Sequence, residues 1–262
     1  MCLCYIDIMS KQITMDKLKK FNLFMGGMHF VQAIAVLLLS KNFLITISGS
    51  FLEFDKVARK LVPTTKELFD VSLPLLIAAF LFISSAAHFI IATVYNNKYN
   101  KDLSIGINKA RWIEYSVSAS IMMVSIALLV GIYDLMSLVM IFALTAIMNI
   151  MGLVMEIHNQ TTKKTNWLSY IIGCFAGAIP WVAVAFYFWM GADNGSKAPD
   201  FVYWIFVSIF IFFNCFAINM ILQYKKIGNW KNYLYGELIY IVLSLVAKSL
   251  LAWQVFAGTL RP

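Results

Sequence analysis

Charge is scarce in this sequence, and so are the residues most enzymes use. Only 13% of its 262 residues are charged, whereas 61% are hydrophobic. A soluble domain carries about a quarter charged residues, so the balance excludes an ordinary water-soluble globule and leaves an integral membrane protein. Cysteine occurs four times. Cys2 and Cys4 are too close together for the usual zinc pairs and have no matching His or Cys cluster, so no metal site is expected, and nothing supports a disulfide. Cys174 and Cys215 fall inside apolar stretches and read as small core residues. No phosphate-cradling glycine loop, no HExxH and no recognisable Ser-His-Asp order is present. An NTPase or hydrolase has no local support, and the chain is not expected to be an enzyme. The net charge of +8 does not indicate nucleic acid, because the basic residues sit in short segments between apolar runs, where they set orientation and meet lipid headgroups.

What the sequence has in abundance is long apolar windows. They fall at 21–40, 73–95, 107–131, 136–155, 167–190, 201–223 and 237–257. Each is near the length a helix needs to cross roughly 30 Å of hydrocarbon. The reading is an all-α membrane protein: one seven-helix domain over residues 1–262, with 1–20 as a cytoplasmic N-terminal segment. Lys11, Lys17, Lys19 and Lys20 precede the first window as in a signal peptide. That window is long, contains Gly26, Gly27, His29 and Gln32, and lacks a small-residue cleavage site, so it reads as a retained span.

Twelve basic residues lie on the N-terminal side of such a bundle: Lys11, Lys17, Lys19, Lys20, Lys98, Lys101, Lys109, Lys163, Lys164, Lys225, Lys226 and Lys231. Seven lie opposite: Lys41, Lys56, Arg59, Lys60, Lys66, Lys197 and Arg261. The bias puts the N-terminus in the cytoplasm and the C-terminus outside. In the long first loop, Phe43–Phe54 has two β-prone runs around Ser48-Gly49, which predicts a short extracellular β-hairpin turning there.

Lys248 is the only charge in Leu238–Ala257. A mid-membrane lysine costs roughly 2.5–3.5 kcal/mol on insertion scales. It calls for a buried acid, for Schiff-base chemistry with an aldehyde cofactor, or for a route to an interface; about ten residues on either side make snorkelling a poor route. Glu114 is the natural partner, read as the one acid well inside a span. Arg111, Glu114, Tyr115 and Ser118 share a helix face by i, i+3, i+4, i+7 spacing. An interfacial Arg111–Glu114 pair unrelated to Lys248 is the plainer alternative. Ser244, one turn before Lys248, either bonds a Schiff-base nitrogen or its own helix backbone. His29 and His88, with Gln32, Ser84 and Ser85 near in sequence, suggest an internal polar cavity. Glu156 and His158 read as interfacial or loop residues. Trp181 and the phenylalanines of the sixth window would wall a flat polyene or simply pack. Gly173-x-x-x-Gly177 permits close helix approach.

Several runs resemble the heliorhodopsins: Met28-His29-Phe30 with Gln32, Arg111-Trp112-Ile113-Glu114-Tyr115-Ser116, Gly173-Cys174 with Ile179-Pro180-Trp181, Phe212-Phe213-Asn214, the stretch from Tyr240 to Ser249, Ala252-Trp253-Gln254 and Gly258-Thr259-Leu260. The resemblance implies seven helices with the N-terminus inside and all-trans retinal on Lys248 as a protonated Schiff base, with Glu114 as counterion. It implies a homodimer through the fourth and fifth spans. It places polar-cavity roles on His29, His88, Ser84 and Ser244, and retinal contacts on Tyr115, Ser118, Met122, Met148, Trp181, Phe213 and Trp253. Thr145 stands where the family leads one to expect Asn. The implied function is light sensing without active pumping, through a signalling partner the sequence does not reveal. Outward pumps of the wider rhodopsin class place a second carboxylate about three turns beyond the counterion, and here that position is Ser125. Two rivals stay open: a light-gated or passive proton or ion conductor, and a retinal-free transporter using the Lys248–Glu114 pair.

Overall fold

A computed structural model describes residues 13–193 and 199–261; Cys2, Cys4, Lys11 and Lys197 lie outside the described residues. Its helices are α1 (Met15–Leu39), α2 (Leu73–Ala92), the short α3 (Asn96–Ser104), α4 (Lys109–Leu129), α5 (Leu135–His158), α6 (Leu168–Asp193), α7 (Asp200–Tyr224) and α8 (Tyr233–Val255), the last continued by a π-turn over Phe256–Leu260. All except α3 are long and apolar enough to cross a membrane. Each expected window matches one of these seven, and the differences lie at the ends. Caps set them. Thr14 Oγ1 accepts from the Lys17 N–H at 3.3 Å and starts α1 well before residue 21. Asn232 Oδ1 accepts from Leu234 N–H at 3.0 Å and starts α8 a turn early, so that Glu237 lies inside the helix rather than at its edge. Gly131, with φ of 93°, ends α4 in the left-handed conformation that glycine tolerates.

Chain neighbours pack as spatial neighbours from α1 to α6, with α3 aside, and α7 packs on α8, which closes back on α1. Between α6 and α7 the approach is mainly through aromatic side chains: Trp181 and Phe188 of α6 meet Tyr203, Phe206, Phe210 and Phe213 of α7. Three apolar clusters result among the described residues, the smallest being Trp112, Tyr115, Met155, Met220 and Tyr240. One, near the hairpin, joins Ile45, Ile47, Ile77, Phe80, Met123, Ile126 and Leu251. Another, near α3, joins Leu18, Met25, Ile91, Tyr99, Leu103 and Leu238. Large apolar side chains also cover the outside, among them Val31, Leu38, Phe175, Val182 and Trp204, as a lipid-facing surface requires. Cys174 belongs to that exposed set and Cys215 is half-buried, so neither is the core residue expected.

The loop after α1 forms a β-hairpin, but it does not turn at Ser48-Gly49. Strand β1 (Leu44–Asp55) runs straight through that dipeptide and pairs antiparallel with β2 (Lys60–Ser72). The pairing slips between Ile47–Phe69 and Ser48–Glu67, leaving Leu68 over as a bulge. The strand continues because Ser48 N–H donates to Tyr133 O at 3.0 Å and Ser50 N–H to Asp134 Oδ1 at 3.3 Å, tying this stretch to the start of α5. The turn falls instead at 56–59. There Asp55 Oδ1 accepts from the N–H groups of Val57 at 2.8 Å and Ala58 at 3.0 Å, and Arg59 takes a φ of 50°. These bonds hold the Asp55 carboxyl below its usual range.

Candidate functional site

Lys248 sits midway along α8 and is 3% exposed. Its Nζ donates to Glu114 Oε1 on α4 at 2.7 Å and to Ser244 Oγ, one turn back, at 3.0 Å. Ser84 of α2 donates to the same Glu114 oxygen at 2.6 Å. Three helices therefore converge on one ion pair. The Lys248 ammonium also lies 5.1 Å from the centre of the Tyr115 ring, whose hydroxyl is held by Tyr240 O at 2.9 Å. A buried pair survives in low dielectric only when hydrogen bonds complete it, and Ser84 and Ser244 do so here.

Behind this pair is a polar layer. His29 and His88 stack with ring centroids 5.6 Å apart, and His88 Nδ1 lies 2.7 Å from Asn22 Oδ1. Both ring nitrogens of His29 are buried without a protein partner. Gln32, expected in the same layer, is occupied elsewhere. Its Nε2 donates to Met28 O at 3.3 Å and its Oε1 accepts from Trp253 Nε1 at 3.0 Å.

In front of Lys248 lies a cavity of about 280 Å³. Eight of the predicted residues line it: Tyr115, Ser118, Met122, Met148, Trp181, Phe213, Ser244 and Lys248. Trp253 does not; it faces Gln32 and is 37% exposed. Thr145 is buried against its own helix, donating to Ile141 O at 2.8 Å, while Asn149 one turn on reaches the cavity wall. Trp181 is boxed by Phe206, Phe210 and Phe213 at centroid distances of 5.6, 5.2 and 5.4 Å. Gly173 and Gly177 face α5. A Cβ on Gly177 would strike Met148 Sδ, and one on Gly173 would lie 3.1 Å from Met151 Cβ. The small-residue spacing therefore serves packing within the chain and lets α5 close one side of the cavity. Its lining is mostly apolar and aromatic, with one amine at the end and the buried Ser118 hydroxyl on the wall. An elongated apolar aldehyde anchored on the amine fits this chemistry.

Arg111 does not pair with Glu114. It turns toward the α3 end of the bundle and bonds Glu156 of α5 and Glu237 of α8, with its guanidinium over the Tyr240 ring at 3.9 Å. Both carboxylates are 1% exposed. Sequence reasoning left Glu156 at an interface and passed over Glu237, because both lie at window edges, where acids usually meet water. The missed signal was Arg111 itself, a cation in the first turn of a span that is left without a partner once Glu114 is given to Lys248. Among the described residues no group of three or more His, Cys, Asp or Glu is arranged to hold a metal.

The family model for heliorhodopsin matches residues 18–260. Comparison with curated proteins gave no match. The match covers nearly the whole chain, so the chain belongs to the heliorhodopsin family, a family of retinal-type rhodopsins.

Proposed function

We propose that this heliorhodopsin is a light sensor rather than an enzyme or a pump, carrying all-trans retinal on Lys248 with Glu114 as counterion. The observation that carries the reading is the Lys248–Glu114 pair at the end of an aromatic-walled cavity. When bound through Lys248 Nζ, retinal supplies visible absorption and a light-driven change of shape. The chain's own residues do the rest. Glu114 balances the cation at Nζ, while Ser84 and Ser244 fix the geometry of the pair. Trp181, Phe213, Met122 and Met148 hold the apolar body in place and keep bulk water out. Ser125 donates to Ile121 O at 2.9 Å and offers no carboxyl for reprotonation, which supports a proton moved locally rather than across the membrane. In the cell membrane the N-terminus faces the cytoplasm, as the basic-residue bias supports, and the chain pairs with a second copy through α5 and α6.

Expression with retinal should give a coloured protein, and Lys248→Ala a colourless one that still folds. A visible pigment in that variant would overturn the assignment. The polar layer around His29 favours one competing reading, a light-gated proton conductor. It predicts photocurrents under voltage clamp, whereas the sensor predicts none.

A further inference from the structure

The charges of the second buried cluster do not balance. Arg111 supplies one positive charge, and Glu156 and Glu237 supply two negative ones. All three side chains are 5% exposed or less. Besides Arg111, Asn108 bridges the carboxylates: it donates its backbone N–H to Glu156 Oε2 at 2.8 Å and its side-chain Nδ2 to Glu237 Oε2 at 2.6 Å. The groups around them, taken helix by helix, add no second ion pair. From α1 comes Asn22, from α2 His88, from α3 Tyr99, from α4 Glu114 and from its N-cap Asn108. From α7 comes Gln223, 3.5 Å from Glu237 Oε1. From α8 come Tyr240 and Tyr233, the latter with its hydroxyl 3.4 Å from Glu156 Oε1, and α7 adds Tyr224 on the Glu156 side. Arg111 is the one ion-pair partner the two acids share among the described residues. An uncompensated buried carboxylate costs several kcal/mol, and such a group sheds that cost most readily by taking a proton.

The geometry points to a proton-binding site: Glu156, Arg111 and Glu237 hold one exchangeable proton between the two carboxyls at neutral pH. The proton comes from water and stays on carboxyl oxygen, so the cluster becomes neutral. Helix dipoles bias where it rests. Glu156 lies in the last turn of α5, where negative charge is disfavoured, whereas Glu237 lies in the N-terminal half of α8, just beyond its first turn, so the proton resides mainly on Glu156. Exchange has two routes. The half-buried Tyr233 opens toward the end of the bundle. On the inner side is a cavity of about 30 Å³, lined by Glu237, Arg111, Asn108, His88 and Glu114, enough for about one water. Buried Arg111 Nε, unpartnered in the protein, is a donor such a water can use.

The inference rests on charge and geometry, not on retinal, so it is tested on the full chain without retinal. Infrared spectra in H₂O and D₂O at neutral pH should show one protonated-carboxyl carbonyl band per chain that shifts on deuteration. Glu156→Gln and Glu237→Gln are near-isosteric. Each should abolish the band, because the remaining acid then pairs with Arg111 and ionises. Glu114→Gln should leave it. The inference is overturned if the wild type has no such band, if the band is lost only in Glu114→Gln, or if it survives in either Glu156→Gln or Glu237→Gln. The wild-type measurement needs no variant to fold.

Discussion

At the scale of the residue, one acid and one amine set the proposed chemistry. Glu114 Oε1 lies 2.7 Å from Lys248 Nζ, and removing its charge leaves a cation in a low-dielectric interior. In Glu114→Gln pigment the visible band should give way to a near-ultraviolet one at a pH at least about one unit lower than in the wild type, equivalent to ~1.4 kcal/mol. A spectrophotometric titration reads this directly, and an unchanged midpoint would remove Glu114 from the role of counterion. The pairing of Lys248 with Glu114 was legible in the sequence because a lone charge inside an apolar window has few explanations. Glu156 and Glu237 were not, since a window edge does not say whether a side chain points to water or inward. Trp253 was misplaced for a related reason: one aromatic on a helix reads alike whichever neighbour it faces, and the Gln32 bond that turns it aside comes from a helix 221 residues away.

At the scale of the element, Asp134 joins two pieces that the sequence shows only separately. Its Oδ2 caps α5 by accepting from Ser137 N–H at 2.9 Å, and its Oδ1 accepts from Ser50 N–H of the hairpin. The Ser137 N–H, foremost, holds its carboxyl below the usual carboxylate range. The folded form thus favours the ionised group. The stabilisation is present above the unfolded value, about 3.9, and is lost as pH falls through the lower folded value. Asp134→Ala should destabilise by about 1 kcal/mol and speed proteolysis at the hairpin turn, residues 56–59. Asp134→Asn keeps an acceptor and should weaken the fold less, with a flatter acid limb. Equal proteolysis rates in all three proteins would show that the anchor does not hold the hairpin. The hairpin's existence was legible from β-prone runs, yet its turn was not. Ser48-Gly49 is a good turn in isolation, and only the contact with Tyr133 and Asp134, some 85 residues on, keeps it in the strand.

At the scale of the whole molecule, the seven-helix count follows from hydropathy alone, because a helix satisfies its own backbone wherever water is absent. The proposed orientation puts the hairpin and the C-terminus on the outer face. Protease added to intact cells should cut at 56–59 and remove a C-terminal tag, while leaving the loop with Lys163 and Lys164 intact. Cleavage at those lysines but not at the hairpin would reverse the topology. The order of helices around the bundle was less legible than their number. The loose α6–α7 seam depends on which aromatic faces meet, and in a lipid-facing helix apolar residues on all sides give no stripe to read.

Both charge clusters join α4 to α8, across 134 residues for Glu114–Lys248 and 126 for Arg111–Glu237. A ribosome adds roughly 5–20 residues per second, so α4 is made on the order of ten seconds before α8 exists. During that interval Arg111 and Glu114 enter the bilayer with no α8 to meet them. The early chain must leave α4 at the interface, lean on the insertion machinery, or carry Glu114 protonated. Assembly of this bundle therefore ends with its last helix, and a chain stopped before Tyr233 is a biosynthetic intermediate in which Arg111 can meet Glu156 but Glu114 has no amine to meet, rather than a smaller stable protein.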